Sequence, residues 1–283
     1  MSTDKRVIPS KLSLTMKSPL SDWHWIEQSL LFAELSRLAY FSPDAVEPAV
    51  HEIGISSVQF IDCDGAQAYV FANNHDLLIV CRGTEPNEWN DLKADANAST
   101  VVAEVGRIHR GFKREVDDLW PIIEQTIKEN QRPVWFAGHS LGGAMANVCA
   151  GRCKLSQIPS NPKSLFTYGS PRVGNRTYIS AVKIPHYRWV HNNDIVTRIP
   201  PRWLGYKHSG FELYLDNQSR LQKLYAWQRS RDRFRGLWRG LFAGKLDLLS
   251  DHAISSYIMA IKGCWQEHRQ GHVYPQPNVG PLE

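Results

Sequence analysis

Residues 134–146 read Val-Trp-Phe-Ala-Gly-His-Ser-Leu-Gly-Gly-Ala-Met-Ala. The opening residues are an apolar run, and small residues follow Ser140 over a helix-length stretch, so the sequence predicts strand, sharp turn and helix. Gly138 and Gly142 stand two positions either side of Ser140 in a Gly-x-Ser-x-Gly pattern. A serine on so tight a turn takes a strained backbone and lifts its hydroxyl above the sheet. Side chains two positions away would collide there, which calls for glycine. The N–H groups opening the helix point at the same spot and can stabilise developing negative charge. The plainer reading is a Gly-rich turn with no chemistry. A phosphate-binding loop is disfavoured, because no Gly-Lys-Ser/Thr follows.

Outward from this turn, the chain alternates strand and helix. Upstream, SVQFID, AQAYVFAN and DLLIVCR within 57–82 are short runs separated by Asp-Gly and by Asn-Asn-His-Asp, an antiparallel start to a sheet. LLIVC is apolar throughout, as a strand buried on both faces would be. Residues 109–112 read as a compact loop and 113–130 as a helix. Downstream, 141–153 predicts a helix, 164–169 and 186–192 two strands, and 253–261 a helical run. A helical pattern also starts near Asp22 and ends at Ser42-Pro43. This alternation implies an α/β fold with a central, mostly parallel sheet flanked by helices and antiparallel strands at its N-terminal side. Residues 1–283 read as one domain, with 1–21 a polar, flexible extension.

Composition is that of an ordinary globular protein: 42% apolar and 22% charged, with net charge +5. Five cysteines and no Cys-x-x-Cys pair argue against a disulfide framework or a zinc site and favour reduced thiols. The N-terminus lacks an apolar run of signal-peptide length, and no stretch suits a membrane span. The expectation is a cytoplasmic protein with a peripheral membrane role open to it; export by a route independent of such a signal also stays open.

Five ordered segments resemble the class 3 (fungal-type) lipases of the α/β-hydrolase superfamily. Gly-His-Ser-Leu-Gly-Gly-Ala-Met-Ala (138–146) is similar to their nucleophile turn. Cys81-Arg82-Gly83-Thr84 resembles their oxyanion strand end, and His109-Arg110-Gly111-Phe112 their His-x-Gly-Phe loop. Residues 168–175, Tyr-Gly-Ser-Pro-Arg-Val-Gly-Asn, match a further motif. Asn193-Asp194-Ile195-Val196 with Ile199-Pro200-Pro201 resembles their acid loop. The likeness spans about residues 30 to 260 and implies an α/β-hydrolase fold and a carboxylic ester hydrolase, foremost a lipase acting on acylglycerols.

The order expected in this fold is Ser, acid, His. Asp194 follows directly on the predicted strand 186–192, where catalytic groups gather, and the motif marks it as the acid. Beyond it, His208, His252, His268 and His272 are candidate bases. The resemblance selects His252, in Ser-Asp-His ahead of a terminal helix; His268 and His272 read as a solvated tail. Ser140 would attack the ester carbonyl, His252 take its proton, and Asp194 fix the imidazole. The resemblance further implies an oxyanion hole of Leu141 N–H and Thr84, with no metal or organic cofactor. His109 precedes Ser140, the wrong order for the base, and reads as structural.

Residues 85–108 occupy the family's lid position but are polar, with only Trp89, Leu92 and alanines offering an apolar side before Val101. That weakens the case for activation at an oil–water surface and keeps a phospholipase A1 or short-chain esterase as alternatives. A lipase-fold lipid-binding or signalling protein with a dead site is the non-enzyme rival. Residues 217–246 hold eight Lys and Arg against one acid, Asp232, with apolar residues at helical spacing. The plain reading is a packed surface helix; the functional one is contact with an anionic membrane. No nucleic acid partner is expected, because no base-reading motif accompanies the charge.

Overall fold

The computed structural model describes residues 11–83, 99–156, 158–160, 162–192, 194–222 and 252–277. In chain order the elements are α1 (Trp25–Leu38), α2 (Pro43–His51), β1 (Ser57–Cys63), β2 (Ala66–Ala72), β3 (Leu77–Cys81), β4 (Thr100–Val102) and β5 (Arg107–His109). Then come α3 (Arg110–Lys128), β6 (Val134–His139), α4 (Leu141–Leu155), β7 (Pro162–Tyr168), β8 (Gly174–Asn175), α5 (Arg176–Ala181) and β9 (His186–His191). The chain continues through β10 (Tyr206–Lys207), β11 (Phe211–Leu215), β12 (Leu221–Gln222) and α6 (Ile254–Arg269).

Eight strands form the main sheet in the order β1-β2-β3-β6-β7-β9-β11-β12. β3, β6, β7, β9 and β11 are mutually parallel; β1 and β2 add antiparallel pairs at one edge and β12 at the other. The chain has the α/β-hydrolase fold the sequence implied. Side-chain alternation splits the continuous apolar strands between two cores. Leu78 and Val80 of β3 and Trp135 and Ala137 of β6 face the layer holding α1 and α6, while Leu77, Ile79, Val134 and Phe136 face α3 and α4. A strand with helices on both faces has no polar side, which is why LLIVC reads as an unbroken apolar run.

Three expectations need correction. Residues 11–21 are not a loose extension: Leu12, Met16 and Leu20 are buried in the α1 core, and the Leu20 N–H donates to Asp76 Oδ2 at 2.9 Å. Residues 109–112 are not a loop but the end of β5 and the first turn of α3, because the His109 ring accepts the Gly111 N–H at 3.1 Å and caps the helix. His268 lies inside α6 and stacks on His24 with ring centroids 4.0 Å apart. A second, four-stranded sheet, β10-β8-β5-β4, was not expected. Of the lid-like stretch 85–108, only 99–108 is described, as β4 and most of β5.

Candidate active site

Four parallel strands, β3, β6, β7 and β9, end on one rim, and the chain leaves them through Gly83, Ser140, Gly169 and Asp194. Ser140 joins β6 to α4 with φ 60° and ψ −131°, a conformation that costs a side-chain-bearing residue of order 1–3 kcal/mol. Close packing explains the flanking glycines. A Cβ on Gly138 would run into the carbonyl of Gly142 and lie 2.7 Å from Gly143 N; one on Gly142 would lie 2.7 Å from Arg82 C and Gly83 N. The N-terminus of α4 is thereby pressed onto the end of β3.

Asp194 is fully buried, and its carboxylate takes three donors. Oδ1 accepts the Val196 N–H at 2.9 Å, Oδ2 accepts the Tyr257 hydroxyl at 2.6 Å, and His252 Nδ1 lies 2.9 and 3.0 Å from the two oxygens. A carboxylate only accepts, so Nδ1 carries the ring proton and the lone pair is on Nε2. The Tyr257 hydroxyl also accepts the His191 N–H at 3.1 Å, which fixes the phenol in place.

Ser140 belongs to the same neighbourhood through two links. Its N–H donates to Tyr168 O at 2.9 Å, and the next residue, Gly169, backs onto the pair: a Cβ there would stand 2.6 Å from Asp194 Oδ2 and 2.9 Å from His252 Nδ1. On the other side, His139 Nε2 donates to the His252 carbonyl at 2.7 Å, and its ring lies 4.7 Å from the His252 ring. His139 Nδ1 then accepts the Tyr40 hydroxyl at 2.9 Å. Burial, with the neighbouring His252 imidazole adding to it, pushes His139 well below the ordinary 6.5, so it is a neutral spacer. Ser140 Oγ is buried and makes no hydrogen bond among the described residues. The serine–imidazole contact is therefore not closed here; such bonds often tighten only with substrate present.

Leu141, the residue after Ser140, opens α4 and is 8% exposed, so its backbone N–H sits at the head of that helix. Thr84 lies outside the described residues; its neighbour Gly83 carries the β3 end past the serine, with a built Cβ 3.2 Å from Ser140 Cβ. Of the alternative bases, His208 lies between β10 and β11 and is hydrogen-bonded by Nε2 to Thr197 O at 2.8 Å. Among the described residues no group of three His, Cys, Asp or Glu converges as a metal site would need.

Sequence reasoning missed Tyr257, His139 and Tyr40. Tyr257 lies five residues beyond His252 on an amphipathic helix, where an aromatic reads as core.

A strained serine at a strand–helix turn, with a buried carboxylate beyond a strand end and an imidazole just ahead of the last helix, is the arrangement of the serine hydrolases built on this fold. Residues 78–203 match the model of the class 3 lipase family. The chain is similar to a lipase of Rhizopus niveus, 38% identical over 153 residues, covering 49% of this chain and 38% of that one. It is also similar to secreted mono- and diacylglycerol lipase 1 of Fusarium solani, 31% identical over 164 residues, 54% of this chain and 48% of that one. Among solved structures it is similar to a triacylglycerol lipase whose catalytic centre is a serine protease triad, with TM-score 0.56, 25% identity, and coverage of 68% of this chain and 81% of that one. The chain spans less than half the length of the two sequence relatives. No described helix is long and apolar enough to cross a membrane.

Proposed function

We propose that this chain is a serine carboxylic ester hydrolase acting on acylglycerols. Ser140 is the nucleophile, His252 the general base and Asp194 the group that holds the imidazole in its productive tautomer. The observation that carries the reading is the buried Asp194–His252 pair, 2.9 Å apart, beside a serine held in strained geometry at the head of a helix.

In the first step His252 Nε2 takes the Ser140 proton as Oγ attacks the carbonyl carbon. The charge moves to the carbonyl oxygen, which the Leu141 N–H and Thr84 stabilise; each such donor is worth about 2.7–4 kcal/mol. The imidazolium then protonates the leaving alcohol. Water, activated by the same imidazole, hydrolyses the acyl-enzyme and restores Ser140. Tyr257 and the Val196 N–H keep the carboxylate from turning, so the ring stays aimed. The triad of the similar triacylglycerol lipase supports these roles.

Residues 1–283 act as one domain in this reading, with 85–108 in the lid position. The five unpaired thiols favour a reducing, cytoplasmic setting, while the name of the Fusarium relative weighs toward secretion. Of the basic stretch 217–246 only 217–222 is described, so its contact with an anionic membrane is a matter for the sequence alone.

A panel of p-nitrophenyl esters of rising chain length, run beside triacylglycerol and phospholipid emulsions, tests the substrate class. Turnover of short and medium acyl esters together with acylglycerol is expected. Hydrolysis of phospholipid alone, or no hydrolysis by folded protein, contradicts the proposal.

A further inference from the structure

The loop that begins at Asp194 returns to β10 through a short helical turn at 202–204. It is firmly held at its base. Arg172, on the loop after β7, donates its backbone N–H to Ile199 O at 2.7 Å and its guanidinium to Pro200 O at 2.9 Å and to Arg198 O. Thr197 Oγ1 donates back to Asp194 O at 2.9 Å. The tip beyond this clamp is different. Arg202, Trp203, Leu204 and Gly205 are all exposed, Trp203 at 85% and Leu204 at 47%. Trp203 is the single exposed aromatic residue among the described residues. Its exposure forfeits burial that would stabilise the fold by roughly 1.5–3 kcal/mol for a large apolar side chain.

Among the described residues, the charged side chains next to the tip along the chain and across the β8–β10 pairing are all cations. Arg202 and Lys207 are exposed on either side of it, and Arg176 is exposed next to Asn175, the residue paired with Tyr206 across β8 and β10. Between Glu129 and Asp194, and again between Asp194 and Glu212, the sequence has no Asp or Glu. The acid that ends the second interval is occupied: Glu212 pairs with Arg188 at 2.9 Å. A rigid tip with an indole and a leucine outermost and cations behind them matches the interface of an anionic bilayer, where an amphipathic ring settles at head-group depth and lysine and arginine meet phosphates.

We propose that Arg202-Trp203-Leu204, with Lys207 and Arg176, is a membrane-docking tip that seats the rim bearing Ser140 on an anionic lipid surface. This rests on the ester-hydrolase reading for its purpose, since the loop that carries the tip begins at Asp194, on the rim that bears the serine. It would hold the site where acyl esters are concentrated.

Binding is read without turnover, using the full chain carrying Ser140→Ala and sedimentation with sucrose-loaded vesicles. One set is phosphatidylcholine with phosphatidylglycerol, the other phosphatidylcholine alone. Partition onto the mixed vesicles is expected to exceed that onto neutral ones. Adding Trp203→Ser should lower it roughly tenfold. Arg202→Gln and Lys207→Gln should each lower it by roughly fivefold on the mixed vesicles only. Thermal midpoints of the variants, read alongside, check that each is folded. Partition that survives Trp203→Ser in a folded chain overturns the proposal. So does a lipid-free dimer that Trp203→Ser splits into monomers with no effect on vesicles, because the tip is then a contact between copies. The hydrolase reading stands or falls separately, on turnover of a soluble ester by the chain that retains Ser140.

Discussion

The sheet carries a serine–histidine neighbourhood at each of two opposite ends, and they are built differently. At the carboxyl ends of the parallel strands stands Ser140, with His252 turned to a carboxylate and the hydroxyl without a hydrogen bond among the described residues. At the amino ends of β9 and β11, under α4, stands Ser209. Its Oγ is 2.8 Å from His186 Nδ1 and accepts the Asn147 amide at 2.7 Å. The other imidazole nitrogen, Nε2, is taken by Thr167 Oγ1 at 2.8 Å, so both ring nitrogens are bonded to hydroxyls among the described residues. Burial, and then the charge of Arg188, hold His186 well below the ordinary 6.5. A serine touching a histidine is therefore not enough for chemistry. The Ser209 group is closer in hydrogen-bond terms, yet each polar atom is spent on a neighbour and an imidazolium there is penalised. The Ser140 group keeps its hydroxyl in reserve and gives the ring an acid.

The largest contrast should come from deleting each hydroxyl. Ser140→Ala is expected to lower kcat/KM for a soluble ester by roughly 10⁴ or more with the fold intact. Ser209→Ala should change it by about twofold at most, since distant sites contribute independently. It should instead cost about 1–3 kcal/mol in denaturant unfolding, because the Asn147 amide loses its acceptor in a buried place. Near-equal activity losses from the two would erase the distinction.

An intermediate effect is expected at Tyr257, which touches no substrate and acts through Asp194. Tyr257→Phe removes a donor to a buried carboxylate, worth roughly 10- to 100-fold in rate if the bond matters most in the transition state. Steady-state kinetics should show that loss in kcat with KM little changed. A loss confined to thermal stability would make the tyrosine a packing residue.

The smallest effect concerns acidity. His139, His186 and His208 are all lowered, first by burial. Their folded-state values lie below 6.5 and the unfolded value is near it. Above that pH both states are neutral and the stability is whole; as pH falls through it, the unfolded chain binds protons that the folded chain refuses. The melting temperature should therefore decline from neutrality toward pH 5. In urea titrations across that range, His186→Gln should make the slope shallower by up to about 1.4 kcal/mol per pH unit, the linkage of one proton. An unchanged slope would show that His186 takes up its proton without difficulty.

Much of the fold was legible because its signals are local. The apolar run 77–81, the Gly-x-Ser-x-Gly turn and the strand before Asp194 declare themselves within a few residues. His252 needed the family likeness, since composition alone left four histidines beyond Asp194. What stayed hidden depends on distant partners. β4, β8 and β10 are two or three residues long, too short for any period, and exist by pairing across the chain. Leu12, Met16 and Leu20 sit four and then four residues apart, but the polar residues between them masked a segment that packs on α1. His109 looked like part of a loop because a ring nitrogen capping a helix leaves no periodic trace. Tyr257 is invisible as a function until the fold brings its hydroxyl to Asp194.

The most direct trial of the central claim is covalent. The chain is treated with a fluorophosphonate, a phosphorus electrophile that an activated serine attacks with loss of fluoride, and the adduct is mapped by peptide mass spectrometry. One equivalent on Ser140, retained in Ser209→Ala and abolished in Ser140→Ala and strongly slowed in His252→Ala, is the predicted result. A folded protein that takes up no label, or takes it on Ser209 instead, would contradict it.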